Sequence, residues 1–339
     1  MKIFLDDSQC REQLFPFTHT RHLADIRIGI LTIREKWEQL TGKTIYTSII
    51  DKDNIDLIIN ANIIPTAKNY QAILAQKPAD IKILEYPWHI FQYNDWAIRQ
   101  DFELLTSNKI SRPVSKTNKC MDESNIFIEE GALVEHCTIN ASTGPVYIGK
   151  HVTIMEGNMI RGPFAICEGA TLKMGSKVYG ATTIGPFCIA GGEIKNSMMF
   201  GYSNKAHDGY LGDSVIGEWC NLGAGTSNSN IKNTAGEVRY RTHDKMEAIV
   251  AGNKGGLLMG DYSRAAINTS FNTGTVVGVC CNIFDRHFPG KYVADFSWGN
   301  ERYDFDKAIR DIDNWKKLKN QAISENEKQL LHQLYTSNQ

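Results

Sequence analysis

His207, Tyr210, Asn221 and Asn230 lie within two dozen positions of one another, and Lys195 stands twelve residues before the histidine. Imidazole titrates near neutral pH, so His207 is the natural proton acceptor of the group. Lys195 and Lys177 can hold a phosphate, and the two asparagines can orient hydroxyls or a carbonyl. Backbone N–H groups in the stretch Gly223-Ala224-Gly225 can donate to an oxyanion. Each residue also has a plainer explanation: a loop histidine, solvated lysines, asparagines in turns. The decision between the two rests on what positions them.

An aliphatic residue recurs every six positions through Ile148, Ile154, Ile160, Ile166, Leu172, Val178 and Ile184. The period returns at Ile216, Leu222, Met259, Ala265, Phe271, Val277 and Ile283. Six is neither a helical nor a simple strand period. It fits a triangular solenoid in which each short side sends one aliphatic inward, about eighteen residues completing a turn. Glycine beside the inward residue tolerates the tight corners. The expected fold is therefore a left-handed parallel β-helix of hexapeptide repeats, working as a trimer. The stretch 236–256 breaks the period and reads as a loop thrown from one face, of the kind that joins a binding site.

Glycine usage marks the boundary. Only Gly29 and Gly42 precede Gly131, of 28 glycines in all. Residues 1–112 read as a small α/β domain, 113–300 as the solenoid and 301–339 as an amphipathic helix or helix pair. In the first part, a strand is expected at 2–5, then a helix presenting Ile30, Ile33, Trp37 and Leu40 and stopped by Gly42. Strands at 44–50 and 56–61 and a helix at 95–105 follow.

Lys plus Arg (37) almost cancels Asp plus Glu (38), which speaks against a nucleic-acid binder. No apolar run reaches the ~20 residues of a membrane span. The start turns acidic too soon for a secretory signal. Eight cysteines without a C-x-x-C pair read as reduced thiols of a cytoplasmic protein.

The segment Ile194-Lys195-Asn196-Ser197, Ala206-His207-Asp208-Gly209-Tyr210-Leu211-Gly212-Asp213, Ile216-Gly217, Asn221-Leu222-Gly223-Ala224-Gly225-Thr226 and Asn230 resembles the acetyltransferase domain of the bifunctional GlmU family. Those enzymes acetylate glucosamine 1-phosphate and then uridylylate it. The resemblance implies His207 as general base and Tyr210, Lys195, Asn221 and Asn230 as substrate-binding residues. Ala224 and Gly225 would lie against the coenzyme A thiol end. Lys177 stands for a phosphate-binding arginine of the family, Asp261 for a serine near the coenzyme, and Ile231 for a tyrosine. Acetyl-coenzyme A or another acyl-coenzyme A is then the cofactor, and an amino-sugar phosphate or nucleotide-linked amino sugar the acceptor.

Leu14-Phe15-Pro16-Phe17-Thr18-His19-Thr20-Arg21 and Ile26-Arg27-Ile28-Gly29 resemble the stretch that follows the phosphate-cradling loop of sugar nucleotidyltransferases. With no glycine before Gly29, the cradle itself is missing, so the domain reads as a reduced nucleotidyltransferase. Arg21 and Arg27 suit a phosphate or ion pairs equally. Two other readings stand beside the acyltransferase. One is an active sugar-1-phosphate nucleotidyltransferase, which alone would require Mg; the other is a catalytically silent trimeric scaffold. A zinc-binding solenoid using His136, His151 and His207 is disfavoured by the absence of paired ligand spacing.

Overall fold

The computed structural model describes residues 2–47, 55–243, 246–284 and 287–337. From Lys119 to Trp298 the chain winds as a parallel solenoid whose strands are only two to four residues long. Every aliphatic of the six-residue period is buried in one continuous column, Ile148 to Ile184 and Ile216 to Ile283 included. Stacking in register makes the column: Ile148 pairs with Ile166, and Ile166 with Ile184. The architecture is consistent with the left-handed hexapeptide-repeat β-helix.

The three sides differ in what they turn outward. One sheet of six strands runs from Lys119–Met121 through Met159–Arg161, Lys177–Tyr179 and Glu193–Lys195 to Tyr210–Gly212, and its outward side chains are largely exposed. We call this the open face. A second sheet of nine strands includes Ile126–Ile128, Val146–Ile148, Phe164–Ile166, Thr182–Ile184 and Leu257–Met259, and in each of these all three residues are buried. A sheet apolar on both sides must be covered. The amino-terminal region covers it. The third sheet includes Asn204–Lys205, Asn221–Leu222 and Arg264–Ala265.

In the covering region, strand Ile3–Asp6 lies between Ile45–Tyr46 and Leu57–Asn60, all parallel. Residues 48–50 of the expected second strand lie outside the described residues. Helix Ile33–Thr41 begins in a capping box of Thr32 and Glu35 and ends at Gly42, whose φ of 65° suits a residue without Cβ. Helix Asn94–Thr106 lies against the covered face: the Asn94 amide donates to the Ala181 carbonyl at 2.8 Å and accepts from Gly29 N–H at 2.9 Å. Phe17, Ile28 and Trp88 share one core with Phe200, Val215 and Leu258 of the solenoid. Behind them Lys36 and Asp101, each at most 2 % exposed, form an ion pair. Asp101 also accepts from Ile30 N–H at 2.7 Å and Leu31 N–H at 3.0 Å.

The break in the period is a hairpin, Val238–Tyr240 against Ile249–Gly252. The segment returning from it reaches the candidate site, where the Gly255 N–H donates to the Asn230 carbonyl at 2.9 Å, while the hairpin itself joins the covering region. Its apolar side decides this: Tyr240 is buried and stacks on Trp88 at 5.2 Å, while Gln92 donates to the Ala251 carbonyl at 2.7 Å. At the carboxy terminus, helices Phe305–Lys317 and Glu325–Ser337 cover a solenoid corner carrying Trp219, Tyr262, Cys280 and Phe296. No described helix is long and apolar enough to cross a membrane, and all eight cysteines are free thiols.

Candidate functional site

His207 lies at the corner between strand Asn204–Lys205 and strand Tyr210–Gly212. The residue is exposed and its imidazole has no hydrogen-bond or ion-pair partner among the described residues. The corner below is two residues shorter. Lys195 follows its ladder partner Tyr179 by sixteen positions, where Val178 follows Ile160 by eighteen. The short corner is Gly191-Gly192. A Cβ on Gly192 would come within 2.8 Å of the His207 carbonyl oxygen, so the close approach requires glycine.

That carbonyl is held from inside. Lys205 stands in the aliphatic column, in register with Ala190 and only 2 % exposed. Its ammonium donates to the His207 carbonyl at 2.9 Å and the Gly191 carbonyl at 3.0 Å. Burial pulls its pKa down to about 8, against a smaller upward pull from Asp208. Sequence reasoning missed Lys205, because short corners take it off the six-residue count from Ile184 and only the ladder with Ala190 shows it to be inward. By fixing the corner backbone, it fixes the base of the His207 side chain.

Beside the corner, the Tyr210 hydroxyl accepts from the Asn230 amide at 3.0 Å. The same amide donates to Asp213, whose other oxygen accepts from Asn196 at 2.6 Å. Burial, helped by the Asp213 charge, raises the Tyr210 pKa, so the phenol remains protonated. Gly212 makes room for it, since a Cβ there would meet the hydroxyl at 2.3 Å. Asp213 and Asn196 are the network members that single-residue reasoning did not pick out.

Lys195 and Lys177 project from neighbouring strands of the open face, though not in one row. Lys195 pairs with Tyr179 and Lys177 with Glu193, so the lysines are diagonal neighbours. The Lys195 ammonium lies 5.7 Å from the Tyr179 ring centroid, and the Tyr179 hydroxyl donates to Glu193 at 2.6 Å. The two-residue shortening puts Tyr179, and not Lys177, in the row of Lys195.

The remaining residues divide: the Gly223-Ala224-Gly225 corner stacks on the His207 corner, with Gly225 N–H donating to the Asp208 carbonyl at 2.9 Å, and the others lie elsewhere. Asn221 is on the third sheet, between Asn204 and Arg264. Within Gly223-Ala224-Gly225, the first N–H donates to Ala265 and the last to Asp208, leaving the Ala224 N–H as the uncommitted donor among the described residues. Asp261 is 2 % exposed and belongs to a different contact. It binds Thr20 and Arg21 of the covering region, and its second oxygen accepts from Glu218 N–H at 2.8 Å. Arg21 also pairs with Glu218 at 3.1 Å, and Arg27 with Glu35 at 3.4 Å. Both arginines are thus committed to ion pairs. Next to Asn230 opens a cleft of about 460 Å³, with Ser229, Ile231, Lys232, Thr273, Phe288 and Lys291 among its lining. Burial and the neighbouring Lys232 hold the Lys291 pKa below its ordinary value. No cluster of three or more metal-ligating side chains occurs among the described residues.

Residues 2–80 match the family model described as sugar nucleotidyl transferase. A bifunctional sugar-1-phosphate nucleotidylyltransferase/acetyltransferase of Sulfurisphaera tokodaii is 28% identical over 234 residues, covering 65% of this chain and 50% of that protein. The bifunctional protein GlmU of Methanocaldococcus jannaschii is 29% identical over 262 residues, 75% of this chain and 59% of the relative. GlmU of Rippkaea orientalis reaches 37% over a shorter 98 residues, 28% of this chain and 20% of the relative. The GlmU likeness read from the sequence is borne out. The chain spans between half and three fifths of the length of the first two relatives.

Proposed function

We propose that the chain is an acyl-coenzyme A-dependent N-acyltransferase whose acceptor is an amino-sugar phosphate or a nucleotide-linked amino sugar. The observation that carries this is the exposed, unpartnered His207 on a corner fixed by Lys205, beside the Tyr210–Asn230–Asp213 network. The names of the relatives, which include an acetyltransferase and GlmU proteins, point the same way.

An acyl-coenzyme A supplies the activated carbonyl. The cleft beside Asn230 fits the donor in size and charge, since small-molecule sites run roughly 300–1,000 Å³ and Lys232 and Lys291 line this one. His207 takes the proton of the acceptor amine as nitrogen bonds to the thioester carbon. The Ala224 N–H donates to the oxyanion that forms. His207 then returns the proton to the departing thiolate as the carbon–sulfur bond breaks. Lys195 and Lys177 hold the acceptor phosphate, and Tyr210 and Asn230 orient the sugar. Asn221 lies on a different side of the prism, which supports a site completed between subunits of a homotrimer.

A second reading has one observation in its favour, the family match over residues 2–80. Against nucleotidyl transfer stand the ion pairs that occupy Arg21 and Arg27. Thiol release from acetyl-coenzyme A with a panel of amino-sugar phosphates tests the proposal. Release that depends on an amino acceptor supports it; no release with any acceptor, alongside pyrophosphate-dependent nucleotide exchange, supports the second reading.

A further inference from the structure

The open face carries a cation that neither the base nor a single acceptor phosphate accounts for. Arg161, at the end of strand Met159–Arg161, is exposed and has no hydrogen-bond or ion-pair partner among the described residues. The ladder puts it two strands from Lys195, in the row that continues through Tyr179. Adjacent strands are about 4.8 Å apart. From the strand of Tyr210 to that of Lys195 is one step, to that of Lys177 and Tyr179 a second, and to that of Arg161 a third. Base and cations therefore form a line running away from the catalytic corner.

A monophosphate next to the sugar needs only Lys195 and its diagonal neighbour Lys177. Arg161 lies a further strand along, where the next phosphate of an extended acceptor would fall. Guanidinium is suited to that group, because its planar fork can bind two phosphate oxygens at once. Glu193, the carboxylate that pairs across the ladder with Lys177, accepts from the Tyr179 hydroxyl. Met159 on the arginine's own strand and Met121 two strands beyond it are each 56 % exposed and offer an apolar surface on the same face. A nucleobase has a flat apolar side to lay on it.

We propose that Arg161 binds the second phosphate of a nucleoside-diphosphate-linked amino sugar, which makes that class, rather than a sugar monophosphate, the acceptor. This rests on the acyltransferase reading and narrows it.

The test uses the full chain, wild type and the variants Arg161→Ala, Arg161→Lys and Lys195→Ala. Binding of uridine diphosphate and of glucosamine 1-phosphate is measured by calorimetry, and thiol release from acetyl-coenzyme A with glucosamine 1-phosphate and with uridine-diphosphate-linked glucosamine. Arg161→Ala is expected to weaken the diphosphate about tenfold, the loss of one charge-assisted contact, and the monophosphate less than about twofold. Arg161→Lys should restore part of the difference, and Lys195→Ala should weaken both ligands. Turnover should favour the nucleotide-linked acceptor in the wild type and lose that preference in Arg161→Ala. Diphosphate binding that is absent, or indifferent to Arg161, overturns the inference even if the monophosphate is turned over. Thiol release with neither acceptor overturns the underlying transferase reading instead.

Discussion

Two sides of one prism are built from the same inward column and have opposite fates. On the covered face the outward positions include Phe127, Tyr147, Ala165, Thr183 and Val276, and these are buried. On the open face the matching positions include Met159, Arg161, Lys177, Glu193 and Lys195, and none is buried. The six-residue period sets the coil on both sides, so the inward residues say nothing about which side works on substrate. The outward residues decide it: apolar rows recruit the first hundred residues as a cap, and charged rows remain free to meet a ligand. Substitutions on the covered side should therefore damage stability, and substitutions on the open side should damage activity alone.

The largest stability effect is expected at Lys36. Lys36→Met leaves Asp101 buried and without its cation, which should cost about 3–5 kcal/mol in urea unfolding. Because the helix carrying Asp101 lies on the covered face, the amino-terminal region should loosen first, seen as faster amide exchange in residues 26–45.

Lys205 tests the inside of the catalytic corner. Its pKa is about 8 in the fold and 10.5 as the ordinary value. Below pH 8 both folded and unfolded chains bind this proton. Between the two values only the unfolded chain does, so this group makes stability rise with pH. Relative to Lys205→Met, the wild type should gain up to about 3 kcal/mol between pH 7 and 10.5. A difference that is flat with pH would mean the ammonium is not held in the column.

Arg21→Ala removes the cation between Asp261 and Glu218 and should cost about 2–3 kcal/mol while leaving coenzyme affinity unchanged. Weakened coenzyme binding without loss of stability would return Asp261 to the donor site. The smallest stability effect belongs to the open side. Lys195→Ala should stay within about 0.5 kcal/mol of wild type and yet raise the KM for the phosphorylated acceptor.

How far the sequence carried depended on whether a residue acts through period or through partners. The column from Ile148 to Ile283, the stop at Gly42 and the terminal helices follow from spacing, and all were legible. Asp261 was not, because its partner Arg21 lies 240 positions away and faces it only after the cap docks. That Lys177 is a diagonal neighbour of Lys195 and not its ladder partner was not legible either, since the Gly191-Gly192 corner drops two residues and shifts the register. The stretch 236–256 read as a site loop, but a broken period shows only where the chain leaves the coil; that its hairpin packs on Trp88 while Gly255 meets Asn230 needed coordinates. The sequence brought His207, Tyr210 and Asn230 together by resemblance; the link that Asn230 makes from Tyr210 to Asp213 needed coordinates.

The most direct test is thiol release from acetyl-coenzyme A with an amino-sugar acceptor, comparing wild type with His207→Ala at matched thermal stability. An acyltransferase with His207 as its base loses about 10²–10⁴-fold in turnover and keeps its melting temperature, because the imidazole is exposed and makes no hydrogen bond or ion pair among the described residues. Undiminished release in His207→Ala would contradict that role and move the search for the base elsewhere on the corner.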